Sequence, residues 1–286
     1  MFDKEDYIWT TLQREYRYLE SSGLEVIAVF LQGSQNYNLD IYDDTYFSDI
    51  DIKAIVALSI EDIVDGKNKI SFVVDYSGDQ SEGQIEVKDI RSMLEMWEKQ
   101  NQTYLEILFT DYYIINPHYY AKVMQILNMR NEIVKMNKPT LIKCITGMAK
   151  EKFETLSKDR PSVHDNIETY GYDPKQLASL LRLEDLLVNL FEKNKNFKDA
   201  IYYNDETYRE GMIKTKKGFL SLEDAEMTAS KSIKNMEAIK EQLLKQKDIN
   251  TFDKESSNKL KEIVRDIIRY SIIKQSSYLV SKEDKK

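Results

Sequence analysis

The segments VIAVFLQGS (residues 26–34) and SDIDIKAIVAL (48–58) fix the architecture. The first is a nearly continuous apolar run of strand length, as expected of a strand buried on both faces. Gly33-Ser34 ends it. The second alternates. Side chains two apart share a strand face, so Ile50, Ile52, Ala54 and Val56 point one way and Asp49, Asp51, Lys53 and Ile55 the other. Two central strands are thus expected to bring a glycine-serine bend and a pair of carboxylates together.

Upstream, KEDYIWTTLQREYRYLE (4–20) repeats apolar residues at Ile8, Leu12, Tyr16 and Leu19, which predicts a helix that Gly23 stops. Downstream, a short helix near Ile60–Val64 and a turn at Asp65-Gly66 lead into a third strand at 70–76. SGDQSEG (77–83) reads as a turn and QIEVK (84–88) as a fourth strand. From Asp89, a natural cap, the period becomes helical. Helices are expected over 90–99, 102–109, 117–134, 139–157, 174–193, 221–246 and 254–275, with prolines at 117 and 139 suiting first turns. A loop runs past Pro161 to Gly171 and Pro174, and the tail SKEDKK is expected to fray. The expected fold is α+β, with a small mixed-sheet domain over 1–115 and an α-helical domain over 116–286.

Composition narrows the chemistry. One cysteine, Cys144, excludes an intramolecular disulfide and a cysteine-based zinc site, and two histidines exclude a histidine-rich one. A net charge of −8 argues against a general grip on nucleic-acid backbone. The N-terminus lacks the basic-then-apolar layout of a secretion signal, and no apolar run is long enough for a membrane span. The expected location is the cytoplasm, without a membrane partner.

The chemistry therefore rests on carboxylates. Asp49 and Asp51, two apart on a strand, repel each other unless a cation lies between them. Mg²⁺, or Mn²⁺, takes one or two carboxylates together with substrate phosphates. A third carboxylate should come from a neighbouring strand. Glu86, mid-strand, is the first candidate, and Asp89, at a cap position, the alternative. Two ions on three carboxylates could activate a hydroxyl and stabilise a leaving pyrophosphate. Gly33 lets backbone approach a phosphate, and Ser34 adds a donor at the start of the next turn. Neither a Walker loop nor a dinucleotide fingerprint occurs.

With these motifs in order, the chain resembles the DNA polymerase β-like nucleotidyltransferase superfamily. More narrowly, LQGSQNYNL (31–39), SDIDIKAIV (48–56), EVKDIR (86–91), NQTYLEILFT (101–110) and YGYDPKQLASLLRLEDLL (170–187) resemble a family of bacterial and phage nucleotidyltransferases. The likeness runs from about Val26 to the helix near Asp224–Ala238. It implies a polymerase β-type palm, metal binding by Asp49, Asp51 and Glu86, and triphosphate contacts from Gly33 and Ser34. The chain departs from the family pattern in having Glu86 where Asp is commoner and Asn38 where Gly is frequent. Its segment between Ser34 and Asp49 is longer, and no histidine stands near Ala178-Ser179.

Other residues carry two readings each. Lys175 and Arg182, seven apart on one helical face, would grip the triphosphate from the helical domain, or be solvated cations behind an Asp173 cap and Pro174. Tyr37, beside the bend, is the tyrosine placed to stack on a base; the other tyrosines read as packing residues. Lys53 and Lys88 balance carboxylate charge or contact phosphate. Lys143 and Lys150 form an acceptor patch or a solvated face. His164 reads as an exposed loop residue and Cys144 as a small core residue. The sequence thus predicts a Mg²⁺-dependent transfer of a nucleoside monophosphate from a nucleoside triphosphate to a hydroxyl on an RNA end, a small molecule or a protein. Beside it stand a catalytically silent nucleotide-sensing or regulatory module, and a scaffold whose long C-terminal helices pair with another chain.

Overall fold

The computed structural model describes residues 2–44, 46–76 and 83–283. The first half holds α1 (Lys4–Ser21), β1 (Glu25–Gln32), a small hairpin of β2 (Tyr42–Asp43) and β3 (Tyr46–Phe47), β4 (Asp51–Ala57), α2 (Ile60–Val64), β5 (Ser71–Asp75), β6 (Gln84–Asp89), α3 (Ile90–Glu98), α4 (Gln102–Glu106) and β7 (Tyr113–Ile115). Five of these strands form a mixed sheet in the order β5-β6-β4-β1-β7. β1 runs antiparallel to both β4 and β7, β4 is parallel to β6, and β5 is antiparallel to β6.

The alternation read in 48–58 is the one observed. Ile50, Ile52, Ala54 and Val56 join Val26, Val29 and Leu31 against Ile8, Leu12 and Leu19 of α1. On the opposite face Ile27, Ala28, Phe30 and Ile55 meet Ile90, Met93 and Trp97 of α3. Each fully buried side chain of this size contributes roughly 1.5–3 kcal/mol. Trp97 is 0% exposed and its Nε1 donates to the Tyr104 carbonyl at 3.0 Å. Truncating it to alanine would cost about 3–5 kcal/mol.

The rest is helical: α5 (Tyr120–Asn128), α6 (Arg130–Lys135), α7 (Lys138–Glu154), α8 (His164–Tyr170), α9 (Pro174–Phe191), α10 (Phe197–Ile201), α11 (Glu206–Lys216), α12 (Leu222–Leu243) and α13 (Lys254–Glu283). The helix expected over 117–134 is interrupted by a 3-10 turn at Pro117–Tyr119 and a break at Met129. The expected loop before Gly171 contains α8. The strand β7, the β2–β3 hairpin, α10 and α11 were not legible. They are short, or nearly without an apolar face, Met212 being the buried residue of α11.

The apolar cluster that starts on the sheet continues past residue 116 to Ile267. α13 returns to the sheet: Lys274 bonds Glu25 at 2.6 Å, and Gln275 donates to the Leu58 carbonyl and accepts from the Ile60 amide at 3.1 and 3.0 Å. Among the described residues no helix is long and apolar enough to cross a membrane. The expected turn at 77–83, Gly83 apart, and the tail beyond Glu283 lie outside the described residues.

Candidate functional site

β1 and β4 place the bend beside the aspartates, since Gln32 pairs with Asp51. A 3-10 turn at Ser34–Tyr37 follows, entered by Gly33 at φ 114° and left by Asn38 at φ 62°. Gly33 occupies backbone space that L residues avoid, while Asn38 is a residue type that accepts the left-handed region. Asn36 clamps the turn: its Nδ2 donates to the Leu31 carbonyl at 2.9 Å, and Thr110 donates to its Oδ1 at 2.7 Å.

A cleft of about 290 Å³ opens here, lined by Gly33, Ser34, Asp49, Asp51, Lys175 and Lys216. Both aspartates expected on one face are in it. Burial and then the Asp49 charge push the Asp51 carboxyl up. Facing them, Lys175 and Lys216 lie over the Tyr46 ring at 5.3 and 5.0 Å. Burial and then the Lys175 charge pull Lys216 down to about 8, against the attraction of Asp49, Asp40 and Asp51. Lys175 is raised, because Tyr46 and Asp49 outweigh its burial. The Asp173 cap also exists, its Oδ1 accepting from the Lys175 amide at 3.0 Å. The two readings of Lys175 are therefore compatible: the backbone is capped and the side chain enters the cleft.

Glu86 does not line the cleft that holds both aspartates, although with Asp51 it lines a neighbouring hollow of about 240 Å³. Parallel pairing sets it opposite Lys53, and Gln84 stands one residue beyond the Asp51 side of the register, with Ile85 opposite Ile52. The Glu86 carboxylate binds Lys53, takes a 2.5 Å bond from the Tyr104 hydroxyl, and lies 3.0 Å from Lys88. Desolvation raises it, but these partners override burial and hold it at about 2. Asp89 is no substitute. It is 1% exposed, caps α3 through the Arg91 and Ser92 amides, and accepts from the Ile70 amide at 2.9 Å. Among the described residues no three His, Cys, Asp or Glu side chains form a group able to hold a metal ion. In this structure Asp49 and Asp51 share the cleft, while the third expected carboxylate, Glu86, is engaged by two lysines from the same strands.

Tyr37 and Arg182 are likewise engaged. Tyr37 is buried, its hydroxyl donates to Glu106, and the Arg182 guanidinium covers its ring at 4.1 Å. That ring face is not open to a base. Arg182 shares the cleft wall with Lys175, as its spacing predicts, but its charge is committed to Glu106, which is 1% exposed. Burial opposes the Arg182 charge and Glu106 more than restores it.

The pair of aspartates passes a test of fit for a divalent cation. Gln35 donates through Nε2 to the Asp49 carbonyl at 2.8 Å and to the Tyr42 hydroxyl at 2.9 Å. The Asp49 carbonyl, which can only accept, fixes the amide orientation, and Oε1 is left buried without a hydrogen-bond partner. A Cβ built on Gly33 would lie 3.2 Å from that oxygen and 3.8 Å from Asp51 Oδ2. Two repelling carboxylates beside an unsatisfied amide oxygen are the hard donors such an ion prefers.

The remaining candidates stay outside the cleft. Lys143 and Lys150 are exposed, His164 is exposed against Asp159 at 3.1 Å, and Cys144 is half-buried. A larger cavity of about 930 Å³ lies along another face of α9. There the stacked rings of Tyr203 and Tyr208 donate to both Asp185 oxygens at 2.6 Å, so its central carboxylate is already satisfied. The opposed charges converge in the smaller cleft. Sequence reasoning missed Lys216, Tyr46 and Gln35. The run Lys214-Thr-Lys-Lys217 ahead of Gly218 was the one available signal for Lys216.

No protein-family model and no curated protein matches the chain. Among solved structures, a nucleotidyltransferase-like protein from Exiguobacterium sibiricum 255-15 aligns over 92% of this chain and 91% of its own, with 10% identity and a TM-score of 0.30.

Proposed function

We propose that the cleft binds a nucleoside triphosphate with one divalent cation, Mg²⁺ or Mn²⁺, and that the protein transfers the nucleotidyl group to an acceptor hydroxyl with release of pyrophosphate. The observation that carries this reading is the pair Asp49–Asp51 facing Lys175 and Lys216 across a cleft that the Gly33-Ser34 turn closes. Asp49 and Asp51 would hold the cation, with Gln35 Oε1 as a further oxygen. The cation would supply charge neutralisation at the phosphates. Amides of the turn and the Ser34 hydroxyl donate to phosphate oxygens, and the two ammonium groups offset the remaining charge. In such transfers positioning and electrostatics account for most of the rate. Glu86, held at about 2 by two lysines, is a poor proton acceptor.

That last feature favours a second reading, a nucleotide-sensing module without turnover, since a paired Glu86 leaves two carboxylates rather than three. Turnover separates the two. The protein is incubated with Mg²⁺ or Mn²⁺, each labelled nucleoside triphosphate, total RNA and total protein, and pyrophosphate and transferred label are measured. The transferase reading expects label on an acceptor that disappears in the Asp49→Ala/Asp51→Ala variant. Equal incorporation by both proteins would overturn it, and cation-dependent binding without pyrophosphate would establish the silent module.

A further inference from the structure

The cleft does not end at Lys175 and Lys216. Those two lysines and Tyr46 also line a second chamber of about 280 Å³, whose outer wall is Asn166, Tyr170 and Phe219. Two helix ends build that wall. α11 stops at Gly218, φ 77°, with the Phe219 amide bonded back to the Lys214 carbonyl at 3.2 Å. The Gly218 backbone lies directly on the Tyr170 ring, and a Cβ there would sit 2.5–2.8 Å from three ring carbons. From the other side Tyr172 donates to the Leu220 carbonyl at 3.1 Å, tying the segment to the start of α9. The backbone at Phe219 is thereby held in place, and its ring is 72% exposed. Asn166 donates through Nδ2 to Asp173 at 3.2 Å. A carboxylate can only accept there, so the amide orientation is forced and Oδ1 is presented as an acceptor.

We propose that this chamber is the subsite for the base of the nucleotide, with Phe219 as its stacking face and Asn166 as a selector for a base carrying an exocyclic amine. The assignment rests on the nucleotide reading of the cleft. It follows from continuity: a triphosphate beside Asp49 and Asp51 that contacts Lys175 and Lys216 reaches the chamber those lysines also line. A heterocycle is the part of the ligand that an exposed ring can hold in water. Adenine, cytosine and guanine offer an amine to Asn166 Oδ1. Uracil has no exocyclic amine; its one donor on that edge, the ring N3–H, lies between two carbonyl oxygens that Oδ1 repels, so it is disfavoured.

The test is calorimetric titration of the full-length protein with Mg²⁺ and α,β-methylene analogues of ATP, CTP, GTP and UTP, with tripolyphosphate as the base-free ligand. The amine-bearing analogues should bind about tenfold more tightly than the UTP analogue. Phe219→Ala should weaken all four about tenfold, within the range of one stacking contact, and leave tripolyphosphate unchanged. Asn166→Ala should level the four affinities at an unchanged melting temperature. If nucleotides bind in a Lys216-dependent way while both variants keep wild-type affinity and preference, the base lies elsewhere and this assignment falls alone. If no analogue binds to the wild type, the nucleotide reading falls and takes the assignment with it.

Discussion

Lys53 and Glu86 face each other across the parallel β4–β6 pair and close an ion pair that Tyr104 and Lys88 complete. The arrangement holds Glu86 against two lysines while leaving it on the strand face of Asp51. The two partners shift in a way that needs weighing. Lys53 is lowered, since burial outweighs its bond to Glu86, whereas Glu86 is held low by its partners against burial. Three separate donors act on the carboxylate, and it is less deeply buried than the lysine.

The first prediction concerns acid stability. Glu86 is depressed from 4.5 to about 2, so its contribution is complete above pH 4.5 and is lost as pH falls towards 2. A shift of that size is worth up to about 3 kcal/mol. Denaturant midpoints measured across this window should fall with pH in the wild type and fall less in Glu86→Gln. The same variant should keep nucleotide turnover within about tenfold, and a loss on the order of a thousandfold would return Glu86 to the catalytic set.

The second prediction sets function against stability. Burial and the Asp49 charge both raise Asp51, so the ionised pair destabilises the protein without a ligand. Asp51→Asn should raise the melting temperature by about 2–4 °C, corresponding to about 1 kcal/mol. It should also abolish the stabilisation that Mn²⁺ with nucleotide gives the wild type. A lower melting temperature without divalent ions would show that Asp51 is satisfied by the protein alone.

What could be read from the sequence follows from how local the signal was. Period-two alternation fixed the faces of β4, and Gly33 with Asn38 marked a bend whose backbone is left-handed where those residue types allow it. The pair Asp49–Asp51 was legible because a strand obliges residues two apart to share a face. The partners of Glu86 were not legible because pairing register lies outside local pattern: a carboxylate on the right face of the right strand stands opposite Lys53 rather than Asp51. Lys216 comes from α11, far along the chain and almost without an apolar stripe, so no period pointed to it. Tyr37 and Arg182 were in the right neighbourhood, but their mutual contact and their shared partner Glu106 depend on three separate segments.

The third prediction follows from Lys216, whose ammonium is destabilised to about 8 by burial and by Lys175. A phosphate ligand needs that ammonium and holds the proton on. Affinity for a nucleoside triphosphate should therefore be level below pH 8 and fall as pH rises above it, by up to about tenfold per unit. Lys216→Arg should flatten this limb, since a guanidinium stays charged throughout, and Lys216→Met should lower affinity at all pH values below 8. A wild-type affinity constant from pH 7 to 9.5 would rule out a phosphate contact by Lys216.

The fourth prediction treats Arg182 as a buttress of the cleft. Its partner Glu106 is 1% exposed and also accepts from Tyr37 and Gln102, so among the described contacts the guanidinium is the one full positive charge bonded to this carboxylate. Removing one member of such a pair typically costs 3–5 kcal/mol. Arg182→Met should unfold at correspondingly lower denaturant, whereas Tyr37→Phe, which deletes one hydrogen bond, should cost about 1 kcal/mol. The double variant Arg182→Met/Glu106→Gln should recover much of the loss, because the uncompensated charge is gone. If Arg182→Met instead leaves stability unchanged and weakens only nucleotide binding, Arg182 is a phosphate ligand and its bond to Glu106 opens when the cleft fills.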